Sequence, residues 1–361
     1  MSVNQTPSRS GTVLYVLRAL VFRASVDKVT DLAAAMTYYL VLSVFPLLLA
    51  TVSIINLVGG ADWLVPRLES VVASILTPQL SEQFTATISG FLGAEGASLT
   101  LVISLVAAIW SASGYIGAFS RAVNTVYQVG EGRNFFKLKG FHLLMTVGMV
   151  FLIILLTVSL AVSSSAARWL GTLVGLGDEF SAVWSWLRYP LMGVVVVILV
   201  QLLYFVAPNV RHPRVRILSF GSLTAIVLAT GIVLLFRVYL SVFNGMSNYA
   251  KTYGALAGVI IALFLAFLVN IALLIGAELD AVLERLKQLK YGLPAESGLL
   301  LPPRDAKGIN SRVATRTSLV RRAHSIRAAS LAEGAEPPAW YTQQRLDSSR
   351  DESLETVRTT S

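Results

Sequence analysis

The chain has 361 residues, of which 55% are hydrophobic and 14% are charged, with a formal net charge of +9 and no cysteine. Soluble domains carry about 25% charged residues, so the composition excludes a soluble globular protein and indicates an integral membrane protein. The absence of cysteine excludes disulfides and thiolate metal sites.

Residues 1–30 form a polar N-terminal segment in which we expect no cleavable signal peptide, because Arg18 and Arg23 interrupt its apolar residues. From Gly11 to Lys28 the apolar residues recur near helical spacing. This pattern predicts an amphipathic helix on the cytoplasmic membrane surface. An ordinary helix packed beneath the bundle fits the same pattern, so both interpretations stay open.

Six apolar runs follow, each predicted to cross the membrane as a helix. A helix rises about 1.5 Å per residue and must cross a hydrocarbon core of about 30 Å. Pro190 suits the first turn of the fourth span. We therefore predict an all-α, polytopic membrane domain over residues 31–285. Its spans lie at roughly residues 33–58, 99–119, 141–162, 190–207, 217–240 and 254–277.

The basic residues predict the orientation of these spans. They concentrate in the N-terminal segment, in the second and fourth loops and after residue 278, and they are sparse in the other three loops. By the positive-inside rule both termini are cytoplasmic. The pI of about 9.8 is then mainly a consequence of topology, and we expect no nucleic-acid partner. The polar composition after residue 285 predicts a disordered, basic cytoplasmic tail over residues 286–361.

Several spans carry polar residues that an apolar anchor does not need. An ionisable group at membrane depth costs roughly 2.5–3.5 kcal/mol on insertion scales, so such residues indicate function. The alternative for each is a structural contact between helices. The candidates for a polar path or gate are Asp31, Tyr38, Tyr39, Ser43, Pro46, Ser111, Asn124, Gln201, Tyr204, Asn209, Asn270 and Glu278.

Glu278, at the predicted cytoplasmic end of the last span, allows two interpretations. One is a salt bridge to the basic second or fourth loop. The other is a gating or proton-linked carboxylate beside a cytoplasm-facing cavity, with Asp31 as its companion. The predicted topology brings both acids to the same membrane level.

Enzyme chemistry is not indicated. The three histidines, His142, His212 and His324, lie on different segments without metal-ligand spacing. The chain contains no Walker loop, GxSxG elbow or HExxH motif. We expect no catalytic residues, no metal site and no cofactor.

The order and spacing of these motifs resemble the YihY/BrkB family of bacterial inner-membrane proteins over about residues 30–285. The resemblance implies a six-helix, multi-pass inner-membrane protein. It also implies the family's links to serum resistance, to transporter-like behaviour or envelope lipid export, and to an older ribonuclease label. Leu265 and Phe267 depart from the Trp and Tyr that family members often carry. The matching pieces are Ala33–Ala35, Tyr38-Tyr39, Ser43–Pro46, Trp110-Ser111, Asn124, Tyr127, Tyr204, Pro208-Asn209, Tyr253-Gly254 and Gly276–Leu279.

We expect a helical bundle that moves, or helps to move, an amphiphilic, lipid-like envelope component. The alternative is a non-transporting membrane scaffold in envelope biogenesis. A transporter predicts that Tyr38, Ser111, Gln201, Asn270 and Glu278 border one water-accessible cavity, whereas a scaffold predicts that they are paired and buried. The expected partners are membrane lipids, and the oligomeric state is left open.

Overall fold

The computed structural model describes residues 9–57, 97–161, 172, 177–212, 218–242 and 257–338. Within these ranges the regular elements are helices, and Val210 and Pro303 form an isolated antiparallel bridge. This confirms the predicted all-α class. In chain order the helices are α1 (Arg9–Val26), α2 (Val29–Leu57), α3 (Ala97–Val126), α4 (Phe135–Ala161), α5 (Gly177–Gln201), α6 (Phe220–Val242), α7 (Ala257–Lys290) and α8 (Lys307–Ala332).

Four of the described helical segments are long and apolar enough to cross a membrane, and they match the third to sixth predicted spans. Many of their apolar side chains are exposed, such as Phe151 at 66% and Leu235 at 71%, as expected of surfaces that hydrocarbon solvates. The shorter apolar helix Val29–Ser43 lies within α2. The total of six spans and the side of each terminus stay predictions. The four segments are Phe135–Leu156, Ala182–Val206, Phe220–Tyr239 and Gly258–Lys290.

The prediction that Pro190 opens the fourth span is wrong. Helix α5 begins at Gly177, which places Pro190 inside the helix. Proline is tolerated within membrane helices because neighbouring groups satisfy the backbone carbonyl that it leaves free. The helix continues into a π-helical turn over Leu202–Val206, in which the Ala207 amide donates to the Leu202 carbonyl at 3.1 Å.

The helices pack around a core that lies towards the predicted cytoplasmic end of the bundle. Helix α2 packs along α3, and α7 packs against both α6 and α2. At the α6–α7 crossing, a Cβ atom on Gly276 would lie 2.4 Å from the Gly221 carbonyl oxygen and 2.6 Å from the Tyr204 hydroxyl. Glycine is therefore required for this close approach, as at other contacts between membrane helices.

Helix α1 combines features of both predicted interpretations. It packs against α7, yet Val13, Leu17 and Val21 are 60%, 55% and 72% exposed. Their spacing of four residues places them on one helical face. This exposed apolar face fits a helix that lies at a membrane surface.

The structure differs from the predicted disordered tail over residues 286–332. Helix α7 continues to Lys290, and the following residues are held by long-range hydrogen bonds that composition does not reveal. The Gln288 side chain bonds both backbone groups of Leu300 at 3.0 Å, and the Arg304 amide donates to the Asn209 carbonyl at 3.0 Å. Helix α8, in a second unit that begins at Lys307, has no buried residue. Residues 339–361 lie outside the described part.

Candidate functional site

Asn270 joins three helices through its side chain. Its Nδ2 donates to Thr37 Oγ1 at 3.0 Å, and the Tyr115 hydroxyl donates to its Oδ1 at 3.0 Å. The Thr37 hydroxyl donates in turn to the Ala33 carbonyl at 2.8 Å. Asn270 is only 1% exposed, so this predicted path residue is a paired, buried link between α2, α3 and α7.

The candidates on the first predicted span lie along the α2–α3 contact. Tyr38 is 61% exposed, whereas the Tyr39 ring packs over Gly114, where a Cβ atom would lie 2.9 Å from the ring. Ser111 donates to the Leu42 carbonyl at 3.2 Å. These contacts hold α2 against α3.

Three further candidates of the first span lie on α2 itself. The Ser43 hydroxyl donates to the Leu40 carbonyl at 2.7 Å, within the helix. Asp31 is exposed in the first turn of α2, where the helix dipole favours an acid. Pro46 lies within the same helix.

Asn124 and Asn209 belong to a hydrogen-bonded network at the C-terminal ends of α3 and the π-helical turn. Asn124 Oδ1 accepts from the Asn209 amide at 2.8 Å, and Asn124 Nδ2 donates to Glu131 Oε2 at 3.1 Å. Arg133 binds both oxygens of Glu131 at 2.8 Å. Burial acts to raise the pKa of the Glu131 carboxyl, but its bonds to Arg133 outweigh burial and hold that pKa below its ordinary value.

Gln201 and Tyr204 connect α5 and the π-helical turn to α6 and α7. Gln201 Nε2 donates to Ser222 Oγ at 2.7 Å. Tyr204 is fully buried, and its hydroxyl donates to the Leu273 carbonyl. Its ring stacks on Phe119 with centroids 6.0 Å apart. Both residues therefore make specific contacts between helices.

Glu278 differs from the other candidates because its buried carboxylate accepts no hydrogen bond from an N–H or O–H group of the described residues. The residue is 0% exposed, and the side chain within hydrogen-bonding reach is another carboxylate, that of Asp27. The predicted salt bridge to the second or fourth loop is thus not found among the described residues. The neighbouring charges are those of Arg23 on α1 and of Asp27 in the turn that follows α1, and these two side chains form an ion pair of 2.7 Å. The acid near Glu278 is therefore Asp27, whereas Asp31 faces solvent.

Glu278 lines a small cavity between α1, α3 and α7. Arg23, Val126, Gln128 and Arg285 are among the other lining residues. The centre of a water molecule can move within about 20 Å³ there, which is room for about one water. The carboxylate therefore faces a space that suits water or a proton donor and is too small for a larger ligand.

The sequence interpretation missed a group of cations on α3 and α4. Lys139 was counted in the second loop, but its Nζ donates to Ser113 Oγ at 2.6 Å and lies 4.1 Å from the centre of the Trp110 ring. Arg121 lies over the Tyr39 ring, with its guanidinium carbon 5.5 Å from the ring centre. The spacing of Lys139 and His142 on one helical face is the signal that could have indicated this group.

The five residues that distinguish a transporter from a scaffold do not share one environment. Asn270, Ser111 and Gln201 have hydrogen-bond partners on other helices. Tyr38 is exposed, and Glu278 borders the small cavity. Asn270 is thus paired and buried, as the scaffold hypothesis predicts, whereas Glu278 borders a cavity that the other four residues do not line. In the part of the chain that the structure describes, no group of three or more His, Cys, Asp or Glu side chains could hold a metal ion.

The family of the chain follows from its sequence similarity to known proteins. The family model described as "Virulence factor BrkB" matches residues 20–297. This chain belongs to the virulence factor BrkB family. The match confirms the resemblance stated from the motifs over about residues 30–285 and extends it by about ten residues at each end.

Relatives of this BrkB-family chain include several bacterial membrane proteins. The ribonuclease-like protein YfkH of Bacillus subtilis is 27% identical over 76% of this chain and 96% of its own length. A UPF0761 membrane protein of Mannheimia succiniciproducens is 25% identical over 78% of this chain and 94% of its own length. With the apolar helices, these relatives identify a multi-pass bacterial membrane protein. No solved structure matches the chain.

Proposed function

We propose that this BrkB-family chain moves, or helps to move, an amphiphilic, lipid-like envelope component out of the bacterial inner membrane. The observation that carries the proposal is Glu278, a fully buried carboxylate that meets the Asp27 carboxylate and no N–H or O–H donor among the described residues, beside a cavity for about one water. Under this proposal the partners of the protein are membrane lipids, and the movement of lipid requires no nucleic acid and no cofactor.

A buried carboxylate without a partner is costly, which is why buried charges in proteins are normally paired. A membrane scaffold can connect its helices with neutral side chains, as Asn270, Thr37 and Tyr115 do here. Glu278 adds cost without adding such a bond. Ionisable groups within membrane segments mark functional sites by default, so Glu278 favours a moving part over a static support.

In the proposed function Glu278 alternates between a protonated and an ionised state, and each state favours a different arrangement of α1. When Glu278 is protonated, its neutral carboxyl leaves the Arg23–Asp27 ion pair intact at 2.7 Å. When it is ionised, Arg23, which lines the same cavity, is the available counter-ion. A proton at Glu278 thereby shifts the contact between α1 and α7, and a ligand that prefers one state shifts it too.

A lipid-like substrate also fits the paired polar residues of the bundle. Its apolar part stays in the hydrocarbon, so it needs no wide aqueous cavity between the helices. The exposed apolar faces of α4 and α6 supply a surface along which such a molecule can remain solvated. The paired state of Asn270 is therefore compatible with movement of an amphiphile.

The second candidate is a non-transporting scaffold, which the buried Asn270 link favours. Under this alternative the polar residues only hold the helices together. The ribonuclease-like name belongs to the Bacillus relative, and we do not extend that activity to this chain.

Reconstitution into liposomes tests the proposal. Wild type, Glu278→Gln and Glu284→Gln are compared for the rate at which labelled native envelope lipids cross the bilayer. Glu284 is the matched control, because it lies on the same helix but is paired with Lys287 at 3.1 Å. We expect movement by the wild type and the control, and loss of movement in a folded Glu278→Gln protein. Rates equal to those of empty liposomes for all three proteins, across the lipid panel, would favour the scaffold.

A further inference from the structure

Lys139 places a positive charge beside the middle of helix α3. Its Nζ lies 2.6 Å from Ser113 Oγ and 3.3 Å from the Trp110 carbonyl oxygen, and both residues are near the midpoint of Ala97–Val126. The Trp110 ring covers the ammonium group, with its centre 4.1 Å away. The contacts of this cation are thus two neutral oxygens and an aromatic face, which orient it without neutralising its charge.

Arg121 and His142 extend this group. A Cβ atom added to Gly117 would lie 3.3 Å from both Arg121 Nη1 and His142 Nδ1, so the two side chains meet at the same glycine. The imidazole of His142 lies within electrostatic range of both Lys139 and Arg121. It is only 6% exposed, and its Nε2 has no partner among the described residues. His142 therefore adds a buried nitrogen without a hydrogen bond among the described residues, on a side chain that meets Arg121 at Gly117.

The neighbouring basic residues differ in having acidic partners. Arg133 pairs with Glu131 at 2.8 Å, and Lys137 pairs with Asp305 at 2.9 Å. Neither Lys139 nor Arg121 has a carboxylate within ion-pair distance in the described ranges. Lys139 lies within the apolar segment Phe135–Leu156, where unpaired charge is expensive. With Arg121 as a second cation in the group, this arrangement favours an anion that the chain itself does not supply.

The side chains around the group are apolar and open to the surroundings of the bundle. Trp110 is 51% exposed, Leu42 is 47% exposed and Leu144 is 72% exposed. In a membrane this surface contacts hydrocarbon. A ligand that binds here must then combine an anionic part for the cations with an apolar part that lies along the helices.

We propose that Lys139 and Arg121 bind the phosphate-bearing, net-anionic headgroup of a membrane lipid, with His142 as a third hydrogen-bonding group. The lipid tail lies over the exposed apolar face beside Trp110. The headgroup site is inferred from the positions of these side chains alone. The further statement that the bound lipid is also the transported molecule rests on the proposed function.

Lipid retention tests the site directly. The full chain is purified with equal amounts of phosphatidylglycerol and phosphatidylcholine, and the bound lipids are counted by native mass spectrometry. We expect preferential retention of phosphatidylglycerol, weakened roughly tenfold or more in Lys139→Met because a charge-assisted contact is lost. Lys137→Met changes the same charge on the same helix and should retain lipid as the wild type does. Equal retention by both variants would overturn the proposal, as would equal retention of the two lipids by the wild type.

Two further measurements are needed. One distinguishes binding of a lipid headgroup from binding of any other anion, and the other distinguishes lipid binding at this site from lipid transport. Millimolar inorganic phosphate should not displace phosphatidylglycerol, because it lacks the apolar part, and displacement would overturn the assignment to a lipid. Arg121→Gln should weaken retention as Lys139→Met does. Loss of retention in Lys139→Met supports the site even if no protein moves lipid in liposomes. Movement by the wild type with unchanged retention in Lys139→Met would reject the site while leaving the proposed function intact.

Discussion

Replacing Asn209 by alanine should loosen the chain around Asp305 at the C-terminal ends of α3 and the π-helical turn. The Asn209 side chain is fully buried and makes three hydrogen bonds. Its Nδ2 donates to the Gly130 carbonyl at 3.0 Å and to the Asp305 carbonyl at 2.8 Å, and its Oδ1 accepts from the Asp305 amide at 3.0 Å. Alanine removes all three bonds.

The expected cost follows from those bonds. Each contributes about 1 kcal/mol net, so Asn209→Ala should make local opening easier by about 3 kcal/mol. A change of 1.4 kcal/mol is tenfold in an equilibrium, which makes opening roughly 100-fold more frequent. Hydrogen exchange reports this opening directly, because the Asp305 amide donates to Asn209 Oδ1.

The assay is hydrogen exchange of peptides that cover residues 299–306, measured in detergent for wild type, Asn209→Ala and Asn310→Ala. Asn310 is exposed on α8, so its replacement should leave exchange unchanged. Exchange of the Asp305 amide should rise roughly 100-fold in Asn209→Ala. A rise of less than about threefold would show that Asn209 does not hold this segment.

Three other changes probe the packing, the deep polar link and the pH dependence. Gly276→Ala should lower thermal stability by about 1–3 kcal/mol, since its Cβ atom would lie 2.4 Å from a carbonyl oxygen of the neighbouring helix. Gly148→Ala, with nothing within 4 Å of the new atom, should be neutral or slightly stabilising, and equal effects would contradict the close crossing. Asn270→Leu should cost about 1 kcal/mol in thermal unfolding, because two bonds between membrane helices are lost; a stabilised variant would contradict the link. Burial, helped by a nearby arginine, lowers the pKa of His212 to about 4. The unfolded chain therefore takes up a proton near pH 6.5 that the folded chain resists, and stability should fall as the pH falls from about 6.5 to 4. His212→Phe should reduce that loss in thermal-shift measurements, and an unchanged slope would refute the assignment.

The fold class and the membrane location were predictable because their signals are local. Long apolar runs such as 217–240 and 254–277 report helices that hydrocarbon surrounds, whichever neighbours they contact. The structure places helices over both runs, at Phe220–Val242 and Ala257–Lys290. The family was predictable for the same reason, since its motifs occur in a fixed order along the chain.

The contacts at the C-terminal ends of the spans were not predictable, because residues far apart in the sequence make them. Asn209 bonds with Asp305, within a segment that was expected to belong to a disordered tail. Its polar composition is typical of loops, and nothing in it indicates partners nearly a hundred positions away. Pro190 shows that a local signal can also mislead. Proline favours the first turn of a helix, but helix α5 continues through Pro190.

The candidate site was predicted in part. Glu278 stood out because an acid at the end of an apolar run is unusual, but its neighbour Asp27 lies four residues before the expected companion Asp31, in the turn between α1 and α2. Lys139 was assigned to a loop by its place before the apolar run, and only its contact with Trp110 shows its position along α3. Which of the remaining polar candidates take part in a path stays a prediction.

The most direct test of the account is the rate of lipid movement in liposomes that contain Glu278→Gln, beside Glu284→Gln and wild type. We predict that only Glu278→Gln loses movement while staying folded, because the proposed function requires this carboxylate to change its charge. Movement at the wild-type rate in Glu278→Gln would contradict it, since the buried carboxylate would then have no part in transport.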